Sequence, residues 1–271
     1  MSKAGRARRV AFLNHKGGVA KTDTVVRLAE GLAKAGKRVL VVDMDPQANA
    51  SEVFGWVEQD HETRPTISQA IQADREGAAR AVIQPTAWTE AFAERIRLAP
   101  AVLSLENRMA EAGAKASSVR RLWRALDGAD DDFDYTLIDC PPSLFHLTQL
   151  GLAAADDAVI VTTAVHNAVR GSKNAAKLVR EEGANLYNPE LALRGVIVAK
   201  HRQRGDHAEQ LARLRELYGD LVWSPIVPDL SDIEAADTHA VPLNYIVGKQ
   251  ATRIRGTFEL LTETFLKEIP A

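Results

Sequence analysis

Short runs of apolar residues, each bounded by polar turns, recur along this chain of 271 residues. Most of them are apolar at successive positions, which is typical of strands in a parallel sheet that helices cover on both sides. The predicted strands are 9–14, 38–43, 96–99, 135–139, 158–163, 195–199 and 221–227. Because helical patterns separate these runs, the sequence predicts an α/β fold with a doubly wound, mostly parallel sheet and helices on both faces.

Length and composition limit the domain organisation. With 46% hydrophobic residues, the chain can bury one large core, and we predict a single domain over residues 9–271. The basic start "MSKAGRARR" leads into a predicted strand, so residues 1–8 are predicted to form a short flexible tail. Residues 51–134 are richer in polar and helical patterns, and we interpret them as an elaboration of the same core.

Charge and cysteine content exclude several classes of protein. The formal net charge of −2 gives no overall attraction to nucleic acid or to a membrane, so any such contact must be local. The single cysteine, Cys140, excludes a disulfide framework and a cysteine-rich metal or iron–sulfur site, and it fits a reducing cytoplasm. No apolar run approaches the roughly 20 residues that span a bilayer.

A glycine-rich loop follows the first predicted strand, since "RVAFLN" runs directly into "HKGGVAKTDT" and then into a helical pattern. This strand–loop–helix order is the context of a phosphate-binding loop. Lys21 would neutralise phosphate charge, and the Thr22 hydroxyl would ligate Mg²⁺. The alternative interpretation is an ordinary glycine turn before a helix. The backbone N–H groups that can surround the β- and γ-phosphates belong to Gly17, Gly18, Val19, Ala20, Lys21 and Thr22. With Lys16 and Asp23 on either side, these make eight predicted nucleotide-binding residues in the loop.

Aspartates stand at the ends of two further predicted strands. "VLVVDMDPQANAS" ends a buried run on Asp43 and Asp45, and "YTLIDCPPS" places Asp139 at the end of another. Strand ends beside such a loop are where an open α/β sheet binds its ligand. Three carboxylates near one phosphate would repel each other without a cation, so the pattern predicts Mg²⁺ as a partner. Each aspartate alone has a simpler explanation as the cap of a helix.

Together these segments resemble the ParA family of plasmid and chromosome partition ATPases, within the deviant-Walker group that also contains MinD. The resemblance rests on "KGGVAKT", "VLVVDMDPQANAS" and "DYTLIDCPPSL", and it continues through "AVIVTTAVHNAVRGSKN" and "SPIVPDLSDIEAADTHAVPL". The chain resembles the short form of ParA proteins, which lacks an N-terminal helix-turn-helix domain. It implies ATP hydrolysis with Mg²⁺, an ATP-bound homodimer that binds DNA without sequence preference, and a ParB-like partner that stimulates turnover.

The resemblance also implies roles for individual residues. Lys16 stands where the family has its signature lysine, which reaches across a sandwich dimer to the phosphates bound by the other subunit. Asp45 stands where the attacking water is oriented or activated, and Asp139 where the protein acts through Mg²⁺ and the adjoining switch. The predicted catalytic residues are therefore Lys16, Lys21 and Asp45, and the predicted Mg²⁺ ligands are Thr22, Asp45 and Asp139.

Two loop residues depart from the family pattern, which usually has glycine at the place of Ala20 and threonine at the place of Asp23. A methyl group at residue 20 is expected to impose an unfavourable backbone angle or to crowd the phosphates. The Asp23 carboxylate cannot donate a hydrogen bond to an α-phosphate, and its charge would repel one. The milder alternative is that Asp23 turns away and interacts with the positive end of its own helix.

Further candidate residues lie in the C-terminal half. Pro228 and Asp229, in the segment that resembles the adenine-contacting part of the family, are the predicted base contacts; an ordinary loop is the alternative. Basic clusters offer sequence-independent contacts to DNA phosphates, although basic residues also occur on any solvated surface. The candidate DNA-binding residues are Lys200, Arg202, Arg204, Lys249, Arg253 and Arg255.

The resemblance therefore implies a cytoplasmic ATPase for DNA partition that associates with the nucleoid when ATP is bound. Two alternatives remain open: a related dimer that positions a protein cargo, and a nucleotide-binding interaction protein with little turnover. A MinD-like membrane role would need a basic amphipathic tail. The segment "FELLTETFLKEIPA" instead has three glutamates and one lysine, with Phe258, Leu261 and Phe265 on one face, so we predict that it packs against the sheet.

Overall fold

The computed structural model describes residues 5–56, 64–103, 105, 116–181, 185–202, 205–229, 236–237 and 239–271. Within them the strands are β1 (Arg8–Leu13), β2 (Val39–Asp43), β3 (Gln84–Pro85), β4 (Ile96–Ala99), β5 (Tyr135–Asp139), β6 (Asp157–Thr163) and β7 (Ala192–Ala199). They form one sheet in the order β3-β4-β2-β5-β1-β6-β7. All neighbours are parallel except the short edge strand β3, which is antiparallel to β4 and was not predicted.

Helices cover both faces of this sheet. The α-helices of the described residues are α1 (Lys21–Lys34), α2 (Asn49–Val53), α3 (Ile67–Ala73), α4 (Arg121–Leu126), α5 (His146–Ala154), α6 (His166–Glu181), α7 (Gly205–Tyr218) and α8 (Lys249–Glu268). Successive strand residues point to opposite faces. Val10 and Phe12 of β1 therefore pack with α1 and α8, while Ala11 and Leu13 pack with α4, α5 and α6. The predicted doubly wound α/β fold is confirmed.

The predicted strand over 221–227 is wrong. Gly219–Leu221 form a 3₁₀ turn, and the segment beyond it makes only isolated bridges, between Val222 and Val196 and between Pro228 and His201. The chain still lies along β7, because the Trp223 N–H donates to the Val196 carbonyl at 3.0 Å and the Val227 N–H to the Val198 carbonyl at 2.9 Å. A proline has no N–H to donate, so Pro225 interrupts any continuous ladder here.

The boundary predicted for the N-terminal tail is too late. β1 begins at Arg8 and Ala7 is buried, so these residues belong to the sheet. Arg6 and Arg8 form ion pairs of 2.5 and 2.6 Å with Asp156 and Asp157, next to the start of β6. Residues 1–4 of the predicted tail lie outside the described residues. The assignment of the rest of the chain to one domain stays a prediction.

The last helix packs as its sequence predicts. Phe258, Leu261 and Phe265 of α8 are buried against the face of the sheet that also carries α1. The Tyr135 hydroxyl donates to the Ile269 carbonyl at 2.8 Å, which ties the end of this helix to β5. In the described part of the chain, no helix has both the length and the apolar character needed to cross a membrane.

One ion pair is fully buried at the end of the sheet remote from the glycine-rich loop. Arg9, the second residue of β1, donates from Nε and Nη2 to the two carboxylate oxygens of Asp130 at 2.7 and 2.8 Å. The Thr136 hydroxyl also donates to this carboxylate, at 2.9 Å. Both members of the pair have zero side-chain exposure, so neither charge has water as a substitute partner.

Replacing Asp130 by alanine should therefore destabilise the protein strongly, because the Arg9 charge would be buried without its partner. We expect the free energy of unfolding to fall by about 3–5 kcal/mol, measured by chemical denaturation. Asp131→Ala is the matched control: this neighbouring carboxylate is exposed, and its removal should change the value by no more than about 0.5 kcal/mol. Equal losses in the two variants would contradict the role given to the buried pair.

Candidate nucleotide-binding site

A cavity of about 450 Å³ opens at the carboxyl ends of the central strands. The glycine-rich loop forms one side of it and the segment after β2 another, which is the expected place for a ligand in an open α/β sheet. The structure thus brings together all eight predicted loop residues and Asp45. The lining residues are 16–23, Asp45, Gln47, Asn49, Glu52, Val53, Pro142, Lys200 and Asp237.

The loop between β1 and α1 contains two residues with left-handed backbone angles. Gly18 has φ 72°, which costs glycine little. Ala20, the residue before α1, has φ 62° and ψ 33°. For a residue with a Cβ atom this conformation costs roughly 1–2 kcal/mol. The unfavourable backbone angle expected from alanine at this place is therefore present in the folded loop.

Lys21 and Thr22 both donate to one carboxylate at the end of β5. The Lys21 Nζ lies 2.5 Å from Asp139 Oδ1, and the Thr22 hydroxyl lies 2.7 Å from Asp139 Oδ2. Burial by itself would lower the pKa of Lys21, but the neighbouring Asp139 charge outweighs it and raises that pKa. Lys21 is therefore held charged at the start of α1.

The predicted aspartates occupy different depths. Asp45 lines the cavity, and its Oδ1 accepts from the Gln47 N–H at 3.0 Å. Asp139 is fully buried, lies behind Lys21 and Thr22, and is not among the residues that line the cavity. Asp45 therefore lies at the surface of the cavity, and Asp139 lies one layer deeper.

Asp43 anchors the backbone instead of facing the ligand. Its carboxylate accepts from the Ser51 N–H at 2.9 Å, the Ser51 hydroxyl at 2.7 Å and the Asp45 N–H at 3.0 Å. It stands directly opposite Asp139 in the register of β2 and β5. Burial and the Asp139 charge together raise the pKa of Asp43 to about 7. Of the three aspartates expected around one phosphate, only Asp45 lines the cavity, and Ser51 is a partner of Asp43 that sequence reasoning missed. Mg²⁺ ligation by Asp139, which accepts from Lys21 and Thr22 instead of lining the cavity, stays a prediction.

The donor set at the cavity fits Mg²⁺ bound together with phosphate oxygens. In the part of the chain that the structure describes, no three His, Cys, Asp or Glu side chains are grouped to hold a metal by themselves. Mg²⁺ commonly takes only one or two protein ligands beside substrate phosphates and water. The Thr22 hydroxyl and the Asp45 carboxylate provide oxygens of that kind at the cavity, with Asp139 behind them.

The two loop lysines differ in their surroundings. Lys21 is almost fully buried and paired with Asp139. Lys16 is partly exposed at the cavity, and no hydrogen bond or ion pair to another described residue engages it. The structure therefore gives the two lysines separate positions, one deep in the site and one at its mouth.

Asp23 has an acidic neighbour that sequence reasoning missed. Its side chain lies in the first turn of α1 and lines the cavity beside Asp237, from the segment after β7. Burial raises the pKa of Asp237 to about 6, opposed by the ion pair with Arg27 and assisted by the nearby Asp23. Asp23 thus lies on the cavity wall, and no local pattern in the sequence places Asp237 next to it.

The predicted base contacts are not part of the described cavity lining. Pro228 forms an isolated parallel β-bridge with His201, and the Asp229 N–H donates to the His201 carbonyl at 3.1 Å. The Asp229 carboxylate forms an ion pair with Arg202. Lys200, predicted from sequence as a DNA contact, instead lines the nucleotide cavity. Adenine contacts by Pro228 and Asp229 stay a prediction.

The remaining candidate DNA contacts differ in accessibility. Lys249 and Arg253 are exposed on the first turns of α8. Arg255 is half-buried, and its Nη1 donates to the carbonyls of Leu243 at 3.2 Å and Ile246 at 2.8 Å. Arg204 lies outside the described residues. Arg255 therefore holds the loop before α8 in place, and Lys249 and Arg253 are the accessible cations of this helix start. Arg202 is also exposed, but its Nε is paired with Asp229.

Comparisons with known proteins agree with this geometry. A family model described as "AAA domain" matches residues 7–193. The chromosome-partitioning ATPase Soj of Thermus thermophilus is 33% identical over 224 residues, which cover 82% of this chain and 82% of that protein. The chromosome partitioning protein ParA of Caulobacter vibrioides is 30% identical over 243 residues, covering 89% of this chain and 87% of that protein.

A solved structure with bound nucleotide has the same fold. Cobyrinic acid a,c-diamide synthase from Mycobacterium smegmatis, crystallised with ADP and magnesium, superimposes with a TM-score of 0.75 at 29% identity and covers 98% of both chains. ADP and magnesium are therefore bound by a protein of this architecture. The extent of the matches to Soj and ParA confirms the resemblance found from the sequence motifs, and this chain belongs to the ParA/Soj family of partition ATPases.

Proposed function

We propose that this chain is an ATP-driven switch for the partition of plasmid or chromosome DNA. ATP binds with Mg²⁺ in the cavity and drives formation of a sandwich homodimer. The dimer binds DNA without sequence preference, and a ParB-like partner stimulates the hydrolysis that releases it. The protein would then be cytoplasmic, and associated with the nucleoid while ATP is bound. The observation that carries this proposal is the separation of Lys21 from Lys16 within one phosphate-binding loop.

The two lysines suit two different phosphate contacts. Lys21, buried at the start of α1, can reach only a nucleotide bound to its own chain. Lys16 lies at the mouth of the cavity, where a second subunit could approach. Two nucleotide-loaded faces carry several negative charges each, so they can meet only if cations stand between them. A lysine given to the other subunit therefore makes dimerisation depend on the triphosphate.

Hydrolysis in such a site depends on position and charge stabilisation, with little covalent chemistry by the protein. We assign Asp45 to orient the attacking water, because its carboxylate lines the cavity and is fixed by the Gln47 N–H. Lys21 stabilises charge on the phosphate, and Thr22 and Asp45 would hold the metal, with Asp139 orienting both Lys21 and Thr22. When bound, Mg²⁺ would supply positive charge against the phosphate oxygens.

DNA contact is assigned to the start of α8. Lys249 and Arg253 are exposed on this helix, and Arg255 fixes the loop in front of it. A monomer with 34 basic and 36 acidic residues has no general affinity for DNA. A dimer would present two copies of the patch to one duplex, and paired weak sites gain through effective concentration.

A nucleotide-binding interaction protein with little turnover is the second candidate, and two residues of the loop favour it. Ala20 occupies a left-handed conformation that suits glycine, and Asp23 places a carboxylate on the wall of the cavity. Both residues could hold the loop away from the geometry that hydrolysis requires. Positioning of a protein cargo by an ATP-bound dimer is compatible with the same site.

Replacing Lys16 or Lys21 by alanine should impair different steps, dimerisation in the first variant and ATP binding in the second. Lys21→Ala should weaken ATP binding roughly ten-fold or more, because a charged contact to phosphate is lost. Lys16→Ala should keep most monomer binding but lose ATP-dependent dimerisation. Nucleotide titration and light scattering measure the two effects, with Lys37→Ala outside the cavity as the matched control. A Lys16→Ala protein that dimerises normally with ATP would remove the argument for a lysine acting on the other subunit.

Binding to DNA should require ATP, ignore sequence and weaken steeply with salt, because each neutralised phosphate releases counterions. A mobility-shift assay on unrelated DNA fragments, with ATP, ADP or no nucleotide at several salt concentrations, measures all three properties. Lys249→Ala with Arg253→Ala should lower both the affinity and the salt slope while dimerisation persists.

Lys267→Ala, at the far end of the same helix, is the matched control and should bind DNA like the parent. Equal binding in all three nucleotide states would contradict a switch. Absence of DNA binding in every state would favour the cargo-positioning alternative.

A further inference from the structure

A buried arginine stands behind the acidic wall of the nucleotide cavity. Arg27, in the second turn of α1, has zero side-chain exposure and is not among the residues that line the cavity. Its Nη2 donates to Asp237 Oδ1, and its Nη1 lies 3.2 Å from Glu30 Oε2 and 3.3 Å from the Val241 carbonyl. The guanidinium carbon lies 5.8 Å from the ring centroid of Trp88. Arg27 therefore links the phosphate-loop helix to the segment after β7.

Two carboxylates face the cavity at this point. Asp23 and Asp237 both line it, and their carboxyl groups are close enough to interact with each other. Arg27 forms an ion pair with Asp237, and Lys200 is a second cation that lines the same cavity. Glu30 has its own cation, since Lys34 Nζ lies 2.6 Å from Glu30 Oε1. The positive charge of Arg27 therefore mainly offsets the carboxylates that line the cavity, Asp237 and its neighbour Asp23.

An uncompensated wall of this kind would oppose a triphosphate. At an effective dielectric constant of about 20, two unit charges roughly 10 Å apart change a binding constant by about ten-fold. ATP carries several negative charges, so two carboxylates on its binding surface would weaken binding by at least that factor. The resident charge of Arg27, screened from water by burial, acts on the wall at close range.

We propose that Arg27 is a positioning residue that sets nucleotide affinity. From its buried position outside the cavity lining, it offsets the negative charge of Asp23 and Asp237, which do line the cavity. The inference rests on the proposed nucleotide site and deepens it, because it explains how a site for an anionic ligand can carry Asp23 and Asp237 on its lining. Arg27 does not touch the nucleotide in this account. It acts by holding Asp237 and by offsetting the charge of both carboxylates.

The test compares binding of a non-hydrolysable ATP analogue and of ADP, each with Mg²⁺, to Arg27→Met and to Arg27→Met/Asp237→Asn. The single variant should lose at least ten-fold in affinity for the ATP analogue and less for ADP, which carries less charge. The double variant should recover to within about three-fold of the parent, because the carboxylate that needed neutralising is gone. Asp237→Asn alone should bind the ATP analogue several-fold more tightly than the parent.

Arg9→Met is the matched control, since Arg9 is also a fully buried, ion-paired arginine but lies at the other end of the sheet. It should lose stability and keep its nucleotide affinity. Equal losses for the ATP analogue and ADP in Arg27→Met, without rescue by Asp237→Asn, would show a merely structural role and overturn the proposal.

If Arg27→Met does not fold, Asp237→Asn alone decides: an affinity and salt dependence equal to those of the parent would overturn the proposal. A parent protein that binds neither nucleotide would overturn the proposed function itself. If the parent binds nucleotide but the variants do not behave as expected, the role of Arg27 is wrong while the proposed nucleotide site still stands.

Discussion

The carboxylate of Asp139 accepts from both Lys21 and Thr22, and this contact joins the start of α1 to the centre of the sheet. β5 lies between β1 and β2, so whatever Asp139 holds is fixed relative to both neighbouring strands. The loop before α1 then has little freedom, and it closes through the left-handed angle of Ala20. The position of Lys21 within the cavity follows from this buried contact.

Charge balance governs the rest of the site. Asp43 and Asp139 stand opposite each other and are both fully buried, so each needs hydrogen bonds or a cation, which Ser51 and Lys21 supply. Asp237, on the cavity lining, has Arg27 in the same way. A nucleotide that enters the cavity adds further negative charge to this arrangement. In the proposed mechanism, nucleotide binding, metal recruitment and association with a second subunit would therefore all depend on the same small set of cations.

Local patterns predicted most of the core and the loop, because strand ends, glycine turns and helical periodicity are encoded by neighbouring residues. Asp237 and Lys200 were not predicted at the cavity, since their placement depends on how the chain after β7 returns to the sheet. The strand expected over 221–227 does not form, because Pro225 has no backbone N–H to donate to a continuous strand pairing. Arg255 shows the same limit: its guanidinium bonds two carbonyls that no sequence pattern places beside it.

We propose above all that this site hydrolyses ATP with Mg²⁺ and that DNA and a partner protein control the rate of hydrolysis. Phosphate release with ATP, Mg²⁺, DNA and the cognate partner tests it most directly, in the parent, in Asp45→Asn and in Glu52→Gln, an exposed residue of the same cavity. We expect slow turnover by the parent alone, stimulation by DNA and partner together, loss of turnover in Asp45→Asn and near-normal turnover in Glu52→Gln. ATP binding without phosphate release under every condition would contradict it.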